Sequence, residues 1–239
     1  MTSHATTLGR DVKVMGLVGA AHWASHFFQL VLPALFLFLR DEFGVSFVAL
    51  GLLTTLLYGA SGLTQTAAGF LVDRFGARRV LLSGLTLASL ATLACGLVSS
   101  YWMLLPLSVL AGLGNSVFHP ADLAILTSKV SAHRLGRGYA THALCGNLGW
   151  AAAPILMIGL AQTWDWRVAI FTAGFIGLAI VAAFLLWGAD LEDGNEARAL
   201  AGAAEKIPMG RLMDNVRLLF STTIISCFLY FAFLAAALI

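Results

Sequence analysis

Seven stretches of this chain are long and apolar enough to cross a lipid bilayer, and they leave little room for any other architecture. They run approximately over 14–39, 47–72, 80–100, 102–128, 139–161, 168–188 and 218–239. A helix needs about 20 mostly apolar residues to span roughly 30 Å of hydrocarbon. Lipid offers no hydrogen bonds to the backbone, so each run must satisfy its own amides as a helix. A transmembrane barrel would show alternating segments of about ten residues, whereas these runs are unbroken and rich in Leu, Ala and Gly. Composition agrees: 59% of residues are hydrophobic and 11% are charged, with a mean hydropathy of +0.88. Soluble domains carry about 25% charged residues. The sequence therefore reads as an all-α integral membrane protein embedded in a lipid bilayer.

The charges are sorted by side. Of the 14 Lys and Arg residues, all but Arg40 and Arg167 fall before span 1 or between spans 2 and 3, 4 and 5, or 6 and 7. Basic residues near span ends are retained in the cytoplasm, so the N-terminus is expected there, in a multi-pass protein of the cell membrane, the inner membrane if the source is bacterial. Basic loops placed in this way set topology, and no nucleic-acid partner is expected. Span 1 is too long for the core of a signal peptide and reads as an uncleaved helix. Cys95, Cys145 and Cys227 lie inside apolar runs, where small buried side chains are the simplest reading. Residues 1–189 then form a six-span bundle, 190–216 a cytoplasmic linker, and 217–239 a seventh span. That last span stops at Ile239 without polar anchors, so the sequence is expected to be the first half of a longer chain, completed by a C-terminal half.

The turn between spans 2 and 3, "GFLVDRFGARR", concentrates charge between two apolar helices. Gly69 would let a neighbouring helix approach closely, and Gly76 can take the left-handed conformation that reverses a chain. Arg74, Arg78 and Arg79 lie at headgroup level, where they anchor the turn. Asp73, in the last turn of a helix, faces the negative end of the helix dipole and needs a partner. Gly69, Leu71, Asp73, Arg74, Gly76, Arg78 and Arg79 resemble the helix 2–3 signature of the major facilitator superfamily of secondary transporters. Ala77 stands where that family has its first basic residue.

The resemblance implies a six-helix bundle built of two inverted three-helix repeats, followed here by a seventh helix. It implies a conformational latch at the cytoplasmic turn, with Arg137 as the candidate partner of Asp73. In span 5, Gly146, Gly149 and Pro154 resemble the glycine-rich motif of drug–proton antiporters, with Ala153 replacing the glycine before proline. The membrane-buried arginine that many members carry in span 4 is Ser108 here. The stretch "GLGNSVFHPAD" is similar to fosmidomycin-resistance-type efflux transporters through Phe118, His119 and Pro120, with Ala121 separating the proline from Asp122.

Polar residues inside spans are costly in lipid and usually face a bundle interior or an aqueous path. His22, His26, Gln29 and Pro33 recur on one face of span 1; Ser108, Gly112, Asn115, His119 and Asp122 recur on one face of span 4. The helical rise puts His22 and His119 at matching depths, and His26 and Asn115 near the midplane. By the resemblance these helices line the substrate cavity, so His22, His26, Gln29, Asn115 and His119 are candidate cavity residues. Asp122 is the candidate proton carrier with His142 of span 5 as its partner, because burial penalises a charged carboxylate while a charged neighbour favours it. Pro120 frees a carbonyl near Ser116. Trp23, Phe118 and Trp150 are candidates for an apolar pocket, and Trp164 and Trp166 for interfacial anchors. "HWASH" has the histidine spacing of a zinc protease helix but Trp23 where its glutamate would stand, and no enzyme is expected. No cofactor or resident metal is expected. The reading is a proton-coupled exporter of small organic compounds. Its alternatives are an importer of an organic anion or metabolite, or a divalent-metal carrier in which His22, His26, His119 and Asp122 converge.

Overall fold

The computed structural model describes residues 5–191. The expected seventh span and the linker beyond Leu191 lie outside the described residues, as does Cys227. Eight α-helices make up the described part, with two short 3-10 turns and no strand: α1 (Ala5–Ala34), α2 (Phe36–Phe43), α3 (Phe47–Phe75), α4 (Ala77–Cys95), α5 (Tyr101–Asn115), α6 (Phe118–Lys129), α7 (Leu135–Thr163) and α8 (Trp166–Trp187). By length and composition they make five segments able to cross a membrane, or six with the bent pair α1–α2 counted as one, and α3, α4, α7 and α8 are single helices.

The other two segments, expected as unbroken helices, are each interrupted. Span 1 is α1 followed by α2, bent by 45°. Pro33 sits in the last turn of α1; its ring has no N–H to donate and crowds the carbonyl one turn earlier, which deflects the chain at Leu35. Span 4 is α5 followed by α6, with Ser116 and Val117 in a turn between them. Pro120 falls in the first turn of α6, where an N–H is not needed, and the break lies where its ring would have crowded the carbonyl of Ser116.

Short connections reverse the chain with ordinary capping chemistry. Gly44 takes φ 62° after α2 and donates its N–H to the Arg40 carbonyl at 2.9 Å. Ser46 caps α3 by accepting the Ala49 N–H at 3.2 Å, and Asp165 caps α8 by accepting that of Arg167 at 2.7 Å. Arg167 also reaches Glu42 at 2.7 Å, tying the α2 end to the start of α8. Trp166, expected as an interfacial anchor, is buried against Phe43, whereas Trp164 is exposed. Helix α8 begins at Trp166, and the Asp165 cap turns that ring inward.

Span 1 packs on span 5 as span 4 packs on span 2, and span 3 packs on span 6. This pattern is unchanged when the first three spans are exchanged for the last three, and alternation of direction makes the second set inverted. Small residues sit where the helices cross, as expected when lipid provides no hydrophobic drive for association. A Cβ on Gly149 of α7 would strike the Trp23 carbonyl oxygen of α1 and stand 3.1 Å from the Phe27 nitrogen. One on Gly114 of α5 would stand 2.7 Å from the Ala88 nitrogen of α4. The core between the crossings is apolar, with Phe27, Leu85, Phe118 and Phe184 fully buried. Phe118, a candidate pocket residue, is thus a core residue.

Because the obstacle at Gly149 is backbone, a methyl there can be accommodated only by separating two helices. Gly149→Ala should cost about 1–3 kcal/mol, read as a lower midpoint of thermal unfolding in detergent. Gly159→Ala on the same helix, where a Cβ meets nothing within 4 Å, should show no loss. Equal midpoints for the two variants would refute the packing account.

Candidate functional site

Three helices bring their polar residues to one place. Helix α1 contributes His22 and His26 one turn apart, α7 contributes His142, and α6 contributes His119 and Asp122 just beyond the break in span 4. Asp122 is completely buried, and its Oδ2 lies 3.1 Å from His22 Nδ1 and 3.2 Å from His142 Nε2. The His22 and His142 rings stack at 3.4 Å between centroids. The His26 and His119 rings lie 4.5 and 5.2 Å from His22. His22 and His142 are 2% and 8% exposed, while His119 is exposed at the edge of the cluster.

Gly146 of α7 makes the arrangement possible. A Cβ there would lie 3.0 Å from Cδ2 and Nε2 of His22 and from Cε1 of His26, so only glycine leaves both rings their places. With one oxygen facing two imidazoles, Asp122 keeps its Oδ1 buried with no hydrogen-bond partner among the described residues. A carboxylate has room for several donors, and a buried one left partly unmet is a site where a proton or cation can be received.

Two polar networks continue along the same wall. The Ser25 hydroxyl donates to Asn115 Oδ1 at 2.7 Å, and Asn115 Nδ2 donates to the Ser61 hydroxyl at 3.1 Å, linking α1, α5 and α3. Gln29 Oε1 accepts from the Tyr58 hydroxyl at 3.2 Å and from Trp150 Nε1 at 2.9 Å, linking α1, α3 and α7. Tyr58 and Trp150 are 43% and 41% exposed, so this wall has an open side. His26 stacks obliquely on Trp150 at 4.3 Å, with its Nδ1 buried and unpartnered among the described residues. Trp23 stacks on Phe27 instead of facing the cluster. Ser108 is fully buried, its hydroxyl also without a partner among the described residues. Pro154 lies half-buried inside an uninterrupted α7.

The charged turn between α3 and α4 is arranged differently from the expectation. Gly76 has positive φ, 91°, but its ψ of 141° is extended rather than left-handed helical, because α4 starts at the next residue and leaves no room for a longer turn. A Cβ on Gly69 would meet nothing within 4 Å, so the close approach expected there is not made among the described residues. Arg78 donates from Nη2 to the Phe184 carbonyl at 3.3 Å, joining the start of α4 to α8. Arg74 lies over the Phe75 ring at 5.3 Å, and Arg79 is exposed. Asp73 and Arg137 are both exposed and form no ion pair with each other. They belong to the ends of different helices, α3 and the first turn of α7.

A different ion pair had escaped the sequence reading. Asp11, 1% exposed, accepts the Ser131 N–H at 3.2 Å and the Arg134 Nη1 at 2.9 Å, fastening the start of α1 to the turn before α7. Its only sequence signal is a lone acid between Arg10 and Lys13. Ser25 and Ser61 were also missed, since serines are common in transmembrane helices and carry no distinctive spacing.

A sequence profile of the Major Facilitator Superfamily matches residues 17–239. The fosmidomycin resistance protein of Escherichia coli (strain K12) is 26% identical over 220 residues, covering 90% of this chain and 53% of that protein. The membrane sensor protein UhpC of the same organism is 30% identical over 156 residues, covering 65% of this chain and 35% of that protein. The chain therefore spans about half or less of the length of these relatives. Among solved structures, a bacterial homolog of the human lysosomal transporter Spinster, in an inward-facing and occupied conformation, matches with a TM-score of 0.64 at 19% identity, covering 73% of this chain and 43% of that one.

Removing Arg134 would take from the Asp11 carboxylate a charge-assisted hydrogen bond, at a cost of about 1.5–3 kcal/mol. Arg134→Ala should therefore lower the thermal unfolding midpoint more than the double variant Asp11→Ala/Arg134→Ala. Equal losses would mean that the pair contributes nothing specific.

Proposed function

The chain belongs to the Major Facilitator Superfamily, and on that premise we propose that it is part of a proton-coupled secondary transporter that exports small organic compounds by alternating access. The observation that carries this reading is the Asp122 carboxylate, buried in an apolar bundle, shared by His22 and His142 and bordered by the exposed His119. With both imidazoles neutral and donating, the cluster holds one negative charge. One added proton neutralises it, on Oδ1 of Asp122 or on a ring. A buried cluster of this kind can alternate between these two states as its access to water changes. His119 is the group through which water on the open side would exchange that proton.

The wall formed by His26, Gln29, Asn115 and Trp150 supplies aromatic surface and hydrogen-bonding groups suited to a small organic substrate. Export is supported by the similarity to the fosmidomycin resistance protein, which spans more of this chain than the similarity to UhpC. In the working protein a C-terminal half completes the cavity. The distribution of Lys and Arg supports a cytoplasmic N-terminus. The exposed Asp73 and Arg137 then lie on the cytoplasmic side, where a latch would close against the other half.

In inverted membrane vesicles with an imposed pH gradient, fosmidomycin or another transported compound should dissipate the gradient in the presence of the full protein. Asp122→Asn should abolish that response at equal abundance in the membrane. Undiminished dissipation by Asp122→Asn would refute the coupling role.

A further inference from the structure

The histidines around Asp122 are more numerous than proton exchange requires. One carboxylate and one imidazole can carry a proton, yet three rings converge here from three helices. One nitrogen from each of His22, His119 and His142 lies within 4.8 Å of those of the other two. His119 makes ring contacts with its neighbours but no hydrogen bond among the described residues, and it is the exposed member. Asp122 faces one nitrogen each of His22 and His142, and its own Oδ1 is buried and unpartnered.

We propose that His22, His119 and His142, backed by Asp122, form a binding site for a divalent transition metal of the Zn2+ class. Imidazole nitrogens suit Zn2+, Co2+, Ni2+ and Cu2+, whereas Mg2+ and Ca2+ demand oxygen ligands that this site lacks in number. Zinc–nitrogen bonds of about 2.0–2.1 Å in a tetrahedron place the nitrogens about 3.3 Å apart, so each must move inward by less than about 1 Å. Rotation of the His119 ring, which no hydrogen bond restrains among the described residues, supplies much of that movement. Asp122 provides either the fourth ligand through Oδ1 or the carboxylate that orients the rings from behind. A dication would satisfy the cluster's negative charge and compete with protons for the same groups. His142 stands in this set where His26 had been the expected ligand, since His26 turns its ring to Trp150.

The inference goes beyond the transport reading and does not rest on it, because metal binding needs no proton flux. The test is Co2+ titration of the full protein, prepared in detergent without a histidine tag and followed by visible absorption. Tetrahedral Co2+ bands should appear at about one ion per chain and be bleached by an equivalent of Zn2+. His119→Gln should abolish them, and Asp122→Asn should weaken binding about 10–100-fold. His133→Gln, at an exposed histidine in the turn before α7, should change nothing. Each variant is read at equal monodisperse yield, and His142→Gln serves in place of any variant that does not fold. No bands in the wild type, or bands that survive both His119→Gln and His142→Gln, would overturn the proposal and leave the coupling role of Asp122 to its own vesicle assay.

Discussion

A carboxylate with no exposed surface, inside a bundle that lipid surrounds, is the constraint around which this structure is organised. Burying such a group alone costs several kcal/mol even after relaxation of its surroundings, and the chain meets that cost with groups drawn from three helices. His22 and His142 face Asp122 Oδ2 at 3.1 and 3.2 Å from opposite elements, α1 and α7. A carboxylate held in this way fixes the relative depth of α1, α6 and α7. It also joins residues from both three-helix repeats, so the site and the internal symmetry of the bundle are one arrangement.

The backbone is shaped to permit it. Gly149 lets α1 and α7 cross at backbone contact, and Gly146, nearly one turn earlier, leaves room for the His22 and His26 rings. The interruption at Ser116 and Val117 divides span 4 into two helices, with Asn115 ending one and His119 and Asp122 in the first turns of the next. Across this turn Asn115 binds Ser25 and Ser61 while Asp122 meets His22 and His142. Packing, helix termination and polar chemistry thus depend on the same few positions.

Much of this was legible beforehand because membrane constraints are strong and local. Run length gave the helices, and the charged turn gave the family resemblance. Helical spacing put His22 and His119 at one depth, and their rings lie 5.2 Å apart. What was not legible depended on direction. Pro33 read as part of one helix face and Pro120 as freeing a carbonyl near Ser116, but sequence does not say whether a proline bends a span or divides it. The Asp73–Arg137 pairing rested on resemblance, and in this half both side chains are exposed and unpaired with each other. The Asp11–Arg134 pair joins residues whose proximity follows only from how α1 lies against the turn before α7. Trp166 read as an anchor by its position near a span end, yet the capping geometry of Asp165 sends it inward.

In the proposed transport cycle the Asp122–His22–His142 cluster takes up and gives back a proton within the folded protein. Infrared difference spectra of the protein between its protonated and deprotonated forms test this most directly, with Asp122→Asn as the reference. The account predicts a carboxyl stretch or imidazolium ring band in the wild type that is missing from the variant. Superimposable spectra across the whole pH range in which both proteins stay folded would contradict it.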